Sequence, residues 1–289
     1  MALGWPGNDS WGVERMFLVT GATGNVGAEV VSALAAAGAP VRALVRRPDV
    51  ELPDGVEAVV GDLNSPGGLT DALKGVEGVF LLSGYEDMPG MLARARDAGV
   101  RRIVLLSGGS AALEDLGNAV SRYMTLSERA VRESELDWTF LRPRAFMSNA
   151  LRWLPQLRAG DTVRVQFPDV PVACVDPADI AAVAALALAG GHEGLVHDLT
   201  GPVAMRPAEQ VEVLASVLGR DLRFVGLSND ETRVELEAGM PREYVDAFWS
   251  FYVDGTLDEA TVYPTVPEVT GRPAHTFAEW AEAHAAAFR

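Results

Sequence analysis

The stretch of sequence that decides the fold is M-F-L-V-T-G-A-T-G-N-V-G, residues 16–27. Its first part, Met16 to Thr20, is a short apolar run that is typical of a buried strand. Glycine then occupies every third position, and a helical pattern runs from Val26 to Ala37 until Gly38 ends it. The stretch therefore predicts a strand, a tight glycine turn and a helix in direct succession.

The glycine turn predicts a dinucleotide-binding site. Gly21 permits the tight turn, Gly24 lets a diphosphate approach the backbone, and Gly27 lets the helix pack on the strand. Backbone amides at the start of a helix attract phosphate because the helix dipole is positive there. A plain tight turn is the alternative, but this turn has the strand before it and the helix after it that the motif requires. The residues expected to hold the diphosphate are Gly21, Thr23, Gly24, Asn25 and Val26.

The end of the second predicted strand indicates which dinucleotide is bound. A site for NAD places an acid here, which accepts a hydrogen bond from the ribose hydroxyl. This chain has Arg46 and Arg47 instead, and two guanidinium groups suit a 2′-phosphate. The prediction is NADP(H), with solvated loop arginines as the alternative. Further residues expected beside the cofactor follow or end the third and fourth strands: Asp62 and Leu63 near the adenine, and Leu82 and Ser83 along the dinucleotide.

Short apolar runs alternate with helical patterns over the first half of the chain, which indicates an α/β fold with a doubly wound parallel sheet. Further strands are predicted over residues 40–45, 56–62, 78–84, 102–108 and 137–143, and helices over 69–73, 88–98 and 113–134. Beyond Pro143 the pattern loosens, with helices predicted over 146–158, 177–189, 207–218 and 276–288. The expected division is a dinucleotide-binding domain over 16–145, to which some later segments return, and a smaller α+β substrate lobe over 146–289. Residues 1–15 are interpreted as a native leader or a cloning remnant.

Composition excludes several classes of function. The net charge is −16, from 24 Lys and Arg against 40 Asp and Glu, which argues against nucleic acid and an anionic membrane surface as partners. No run reaches the roughly 18 apolar residues of a membrane helix. A single cysteine, Cys174, excludes an internal disulfide and a cysteine-based metal cluster. With no apolar signal segment, a cytoplasmic location is the expectation.

Several motifs together resemble the NmrA-like, atypical short-chain dehydrogenase/reductase family. Besides the glycine turn they are A-L-V-R-R-P (43–48), G-D-L (61–63), V-F-L-L-S (79–83), D-W-T-F-L-R-P-R-A-F-M-S-N (137–149), V-D-P-A-D-I-A (175–181) and D-L-T-G-P (198–202). The resemblance covers nearly the whole chain from Met16 onward. It implies a Rossmann-like fold that binds NAD(P), but it does not specify the reaction, because the family includes reductases of quinones and related compounds as well as regulators.

Short-chain dehydrogenases usually use Ser, Tyr and Lys, with the Tyr and Lys four residues apart on one helix. The resemblance makes Ser107 and Tyr123 the catalytic candidates, but the fourth residue after Tyr123 is Ser127. The only lysine, Lys74, precedes the fourth strand. Without a lysine nothing in the sequence lowers the pKa of the Tyr123 phenol, so Tyr123 is either a catalytic acid or a residue that packs or contacts substrate.

Substrate residues are expected where the predicted strands end and in the lobe. Tyr85 follows the fourth strand, and Phe146, Met147 and Asn149 follow the sixth, where the family has its nicotinamide and substrate face. Trp249 belongs to an aromatic group that lines a substrate pocket or forms the lobe core. The histidines lack paired spacing, and Asp176 and Asp179 fit helix capping beside Pro177, so no metal site is indicated.

The favoured function is an NADPH-dependent reductase of a conjugated or quinone-like, aromatic small molecule, since such a substrate accepts hydride with little acid catalysis. Two alternatives remain open. One is an NADP-retaining tailoring enzyme that catalyses a cyclisation, dehydration or epimerisation, and the other is a non-catalytic NADP-sensing regulator. The Ala, Gly and Arg bias indicates a GC-rich bacterial genome and makes a role in secondary metabolism credible. A monomer or homodimer is expected.

Overall fold

A computed structural model describes residues 15–64 and 69–288. The interpretation of residues 1–15 therefore lies outside the described residues, apart from Arg15. Seven parallel strands form the central sheet in the order β3-β2-β1-β4-β5-β6-β8. They are β1 (Met16–Val19), β2 (Val41–Val45), β3 (Glu57–Val60), β4 (Val76–Leu82), β5 (Arg102–Leu106), β6 (Asp137–Pro143) and β8 (Leu195–Leu199). This is the doubly wound α/β sheet that the alternating pattern predicts.

Helices cover both faces of the sheet and build a lobe beyond its carboxyl edge. The helices are α1 (Gly27–Ala36), α2 (Leu69–Leu73), α3 (Met88–Asp97), α4 (Ala119–Glu133), α5 (Leu154–Ala159), α6 (Pro177–Ala189), α7 (Pro207–Leu218), α8 (Asn229–Gly239), α9 (Arg242–Tyr252), α10 (Thr265–Thr270) and α11 (Phe277–Ala283). Short 3₁₀ segments cover Gly109–Leu113, Met147–Trp153 and Ala285–Phe288. None of the helices in the described part is long and apolar enough to cross a membrane.

Three apolar clusters hold these layers together. On one face, α1 and α6 pack against the sheet through residues such as Val30, Leu34 and Ile180. On the other face, α2, α3 and α4 pack through a second cluster that includes Leu92 and Phe140. The third cluster lies in the lobe, where α5, α7 and α11 surround the two-stranded parallel sheet of β7 (Thr162–Val165) and β9 (Arg223–Gly226).

Some predicted elements differ from the observed ones. The helix predicted from Leu113 begins only at Ala119, because the Asn118 side chain caps it by accepting hydrogen bonds from the amides of Val120 and Ser121 at 3.0 and 3.1 Å. The helix predicted over 146–158 is a 3₁₀ segment followed by the short α5. The sequence pattern missed α8, α9 and α10. Residues beyond 146 do return to the first layer, since β8 extends the sheet and α6 packs beside α1.

A buried ion pair ties α4 to the carboxyl ends of β5 and β6. The carboxylate of Glu128 is 2% exposed and accepts hydrogen bonds from Nε and Nη2 of Arg142 at 2.8 and 2.6 Å. The hydroxyl of Ser107, directly after β5, donates to the same carboxylate at 2.7 Å. One side chain of α4 therefore fixes the ends of two neighbouring strands.

We expect Glu128→Gln to lower the free energy of unfolding by about 3 kcal/mol, because it leaves the Arg142 guanidinium without its counter-charge. Chemical denaturation followed by circular dichroism measures this. The matched control is Glu133→Gln, an exposed residue of the same helix, which should change stability by less than about 0.5 kcal/mol. Equal stability of the two variants would show that the buried pair does not stabilise the fold.

Candidate functional site

The glycine turn lies where the strand order reverses between β1 and β4, the usual position of a ligand crevice in such sheets. Gly21 has φ +61°, and its carbonyl accepts a hydrogen bond from the Gly24 amide at 2.8 Å. A Cβ on Gly27 would lie 2.1 Å from the carbonyl oxygen of Gly21. Only glycine at position 27 therefore lets α1 begin this close to the turn.

The start of α1 has the properties of a phosphate site. Val26, at the cap position, has no side chain bonded to the amides of the first turn, although such amides have no partner within a helix. Thr23, Gly24 and Asn25 are exposed beside them. The Ala28 amide donates to the Gly24 carbonyl at 3.0 Å. An anionic group placed here would accept from the other amides of the first turn, so the turn fits the diphosphate of a dinucleotide.

The two arginines after β2 are exposed, and neither Arg46 nor Arg47 forms an ion pair with any residue that the structure describes. Because both lie at the carboxyl end of β2, beside the turn, they can reach a 2′-phosphate without first breaking another contact. This fits the predicted preference for NADP(H).

Tyr85 is half-buried and lies near residues at the carboxyl ends of β1, β2 and β3. Burial raises the pKa of Tyr85, and its other electrostatic neighbours are Thr20, Asp62 and Arg46. These groups stand at the carboxyl ends of β1, β3 and β2, where the adenosine is expected. The predicted contact of Tyr85 with substrate therefore stays a prediction.

Of the remaining predicted cofactor residues, some have side chains in the crevice and others have side chains in the protein core. Leu82 lines the turn, since a Cβ on Gly21 would lie 2.5 Å from its Cδ1. Asp62 is exposed and accepts a hydrogen bond from the Asn64 amide at 2.9 Å. Ser83 instead donates to the Leu106 carbonyl at 2.9 Å, and Leu63 is buried in the core between the sheet and α3. Contact of Leu63 with an adenine ring therefore stays a prediction.

Tyr123 reaches the carboxyl edge of the sheet, but no lysine accompanies it. Its ring packs on Gly84, where an added Cβ would lie 3.3 Å from Cδ2 of the tyrosine. Ser127 occupies the position that a lysine would take. Its hydroxyl accepts from the Gly84 amide at 3.0 Å and donates to the Tyr123 carbonyl at 2.8 Å. Lys74 directly precedes β4, at the opposite edge of the sheet.

Burial raises the pKa of the Tyr123 phenol, and the neighbouring Tyr244 raises it further. This is the reverse of what a lysine partner does. These surroundings favour the protonated phenol, and a role of Tyr123 as catalytic acid stays a prediction. The other catalytic candidate, Ser107, is 3% exposed, and its hydroxyl hydrogen is engaged by Glu128, a partner that sequence reasoning missed.

The three predicted substrate residues after β6 do not all line one pocket. Phe146 is half-buried, forms an isolated bridge with Val175 and packs against the α1–α6 core. Asn149 is also half-buried, with its amide bonded to the Phe146 carbonyl at 3.0 Å. Met147 is buried and helps to line a cavity of about 300 Å³ in the lobe, together with Cys174, the polar Gln210 and mostly apolar side chains. Burial raises the pKa of the Cys174 thiol to about 12, which disfavours the reactive thiolate.

The lobe contributes two aromatic side chains, Tyr244 and Phe248, that the sequence reasoning did not single out. They recur every fourth residue along α9 together with Tyr252, which belongs to the same predicted aromatic group as Trp249, and this spacing could have revealed them. Phe167 has φ +51°, and its ring centroid lies 4.9 Å from that of Tyr252. Trp249 lies elsewhere on the helix, 5.1 Å beneath the guanidinium of Arg233 on α8, so its predicted contact with substrate stays a prediction. Among the described residues no group of three or more His, Cys, Asp or Glu side chains could hold a metal ion.

A family model described as NAD(P)H-binding matches residues 21–189 of this chain, which includes the glycine turn and strands β2 to β6. The match agrees with the geometry of the turn and of the uncapped α1.

Three known proteins are similar over nearly the full length. A (4-alkanoyl-5-oxo-2,5-dihydrofuran-3-yl)methyl phosphate reductase of Streptomyces griseus is 46% identical, over 94% of this chain and 99% of that protein. An NAD(P)H azoreductase of Xenophilus azovorans is 38% identical over the same shares. The crystal structure of an NADPH-dependent quinone oxidoreductase from Escherichia coli in complex with NADPH superposes with a TM-score of 0.75. It is 25% identical and covers 93% of this chain and 99% of that one.

We expect Gly27→Ala to abolish measurable NADPH binding, because the added Cβ forces α1 away from Gly21 and displaces the first-turn amides. Quenching of protein fluorescence by NADPH measures the dissociation constant. Gly239→Ala is the matched control, since a Cβ at the end of α8 meets nothing within 4 Å. Unchanged NADPH affinity in the Gly27 variant would mean that the turn does not hold the diphosphate.

Proposed function

The chain belongs to the NAD(P)H-binding family, in its NmrA-like atypical short-chain dehydrogenase/reductase branch, and on this premise we propose that it is an NADPH-dependent reductase of conjugated carbonyl compounds. The class includes quinones and alkenes conjugated to a ketone or lactone. The observation that carries the proposal is the arrangement around Tyr123, where a serine replaces lysine and the phenol pKa is raised.

The absence of an activated acid restricts the substrate. A positioned general acid contributes roughly 10²–10⁴-fold to a reduction, and a simple ketone needs that contribution because its alkoxide is strongly basic. A conjugated acceptor takes hydride at carbon and delocalises the charge onto its oxygen, so a neutral hydrogen-bond donor and solvent suffice. The site therefore favours acceptors that are already electrophilic.

The named relatives support this class of substrate. The Streptomyces griseus protein carries in its name an alkene flanked by a lactone carbonyl and an alkanoyl group. The Xenophilus azovorans and Escherichia coli proteins are named for azo and quinone reduction. In each case the acceptor is a conjugated unsaturated system. An alkene activated by two carbonyl groups is the favoured substrate for this chain, because the relative named for it is 46% identical.

Different residues of this chain would bind the cofactor and the substrate. The amides of the turn would hold the diphosphate, and Arg46 with Arg47 would hold the 2′-phosphate. When bound, the nicotinamide supplies a hydride equivalent. Tyr123 donates a hydrogen bond to the substrate oxygen as that oxygen gains charge.

The reaction is tested by mixing the purified chain with NADPH and a panel of acceptors, and by following the loss of nicotinamide absorbance. The panel holds a naphthoquinone, an acylated butenolide, an azo dye and a saturated ketone. We expect turnover of the conjugated acceptors and none of the saturated ketone. Tight NADPH binding without turnover of any acceptor would refute the proposed activity.

Cofactor preference is tested with Arg46→Ala. Loss of a charge-assisted contact to the 2′-phosphate should weaken NADPH binding roughly 10- to 100-fold, while NADH binding changes little. Arg223→Ala is the control, since Arg223 is an exposed arginine of β9 in the lobe. Equal losses for the two dinucleotides would contradict the role in phosphate recognition.

A further inference from the structure

The lobe cavity of about 300 Å³ is not lined by any residue with a part in the proposed reduction. Its volume lies at the small end of the roughly 300–1,000 Å³ of small-molecule sites. The starts of α7 and α11 and the loop before α7 surround it. Pro202 and Val203 of its lining are exposed, whereas Met147, Gln210 and Phe277 are buried. The cavity therefore runs from the surface into the lobe.

One wall of the cavity consists of two hydrogen-bonded segments. The Met147 amide donates to the Val175 carbonyl at 3.0 Å, and the Val175 amide donates to the Ala145 carbonyl at 2.9 Å. Side chains alternate between the two faces of such extended segments. Phe146 and Val175 join the α1–α6 core, whereas Met147 and Cys174 join the lobe cluster. The cavity therefore lies on the lobe side of this wall, and a layer of backbone separates it from Phe146.

The cavity also lies apart from Tyr123. Residues 276–278 at the start of α11 line it, and the preceding His275 amide donates to the Asp179 carboxylate of α6 at 2.8 Å. Helix α6 packs with α1 on one face of the sheet, while α4, which carries Tyr123, packs on the other face. A ligand in the cavity would therefore not compete with a substrate that Tyr123 contacts.

One polar atom of the cavity has no partner. Gln210 is 9% exposed, and its side-chain nitrogen donates to the Cys174 sulfur at 3.4 Å. Its side-chain oxygen accepts no hydrogen bond from any residue that the structure describes. A buried oxygen without a donor is unfavourable. A ligand that brings a hydroxyl group into the cavity would satisfy it.

The lining also restricts the charge of a ligand. Among the described residues that form it there is no lysine, arginine or histidine, and Glu209 is its one charged residue. Glu209 is exposed, and its carboxylate accepts a hydrogen bond from the Arg206 amide at 2.6 Å. An anion inside the cavity would lose its hydration without gaining a counter-charge, which is costly. The cavity therefore favours a neutral ligand.

We propose that this cavity is a second small-molecule site, and that it binds a neutral aliphatic compound that carries one hydroxyl group. The hydroxyl donates to the side-chain oxygen of Gln210, and the hydrocarbon chain packs on Met147 and Phe277. The proposal goes beyond the reductase function and does not depend on it, because the ligand binds without a covalent step.

The ligand class is tested by isothermal titration calorimetry of the full chain with 1-hexanol, 1-butanol and hexanoate. Each buried methylene should strengthen binding about fourfold, so 1-hexanol should bind roughly 15-fold more tightly than 1-butanol. Hexanoate should bind more weakly than 1-hexanol, because the lining offers no cation. No binding of 1-hexanol, or equal or tighter binding of hexanoate, would overturn the proposal.

The position of the ligand is tested with Gln210→Met, which keeps the length of the side chain and removes the acceptor. It should weaken 1-hexanol binding roughly tenfold. Gln166→Met is the matched control, since Gln166 lies outside the cavity and its side chain donates to Glu235. Neither this control nor Tyr123→Phe should change the affinity. Unchanged affinity in the Gln210 variant, or a loss in the Tyr123 variant, would place the ligand elsewhere and refute the site.

A further measurement needs no variant. The chain has a single cysteine, Cys174, and it lines the cavity. Methyl methanethiosulfonate at mildly alkaline pH modifies this thiol, and intact-mass spectrometry gives the rate. At about ten times its dissociation constant, 1-hexanol should slow the modification roughly tenfold, since only the empty cavity reacts. An unchanged rate would contradict the proposal.

These measurements separate the second site from the proposed reductase function, because none of them uses turnover. A chain that reduces no acceptor but binds 1-hexanol through Gln210 would refute the function and support the site. A chain that reduces the conjugated acceptors but does not bind 1-hexanol would do the reverse.

Discussion

The close approach of Gly27 to the Gly21 carbonyl is the constraint on which the site depends. β1 is held on both sides by β2 and β4, so the strand cannot move to relieve a clash at the turn. The helix can begin beside the strand end only if position 27 has no side chain. Its uncapped amides then face the crevice, and anion recognition becomes a property of the backbone. A chain of net charge −16 can therefore bind an anionic dinucleotide. Salt screens the repulsion from distant acidic residues over about 10 Å, so the amides and arginines next to the phosphates determine the binding.

The second determinant is how α4 uses the positions beside Tyr123. Ser127 satisfies the backbone of Gly84 after β4, and Glu128 holds Arg142 and Ser107 at the ends of β6 and β5. Both positions stabilise the carboxyl edge of the sheet. The helix is consequently anchored to three strand ends, and burial and Tyr244, not a cation of the described residues, shift the pKa of the Tyr123 phenol. For this reason the proposed substrates are ones that carry their own reactivity.

The sequence predicted what depends on local pattern and missed what depends on distant contacts. The order of strands and helices up to β6, the glycine turn and the missing lysine all follow from short stretches with strong periodicity or spacing. Tyr244 lies far from Tyr123 in the chain, and only the docking of α9 brings it near. The burial of Glu128 could not be predicted from its own helix, because it depends on Arg142 of another element.

One buried side chain links the two parts of the molecule more firmly than their surface charges do. Asn118 caps α4 through its oxygen and holds the Ala247 carbonyl of α9 through its nitrogen. A buried acceptor that loses its partner costs about 1–3 kcal/mol, whereas an exposed pair such as Arg122–Glu243 contributes about 0–1 kcal/mol. The same residue that sets the start of α4 therefore sets the position of the lobe helix above it. A division of the chain near residue 146 separates two regions of sequence, but Asn118 holds elements of both together.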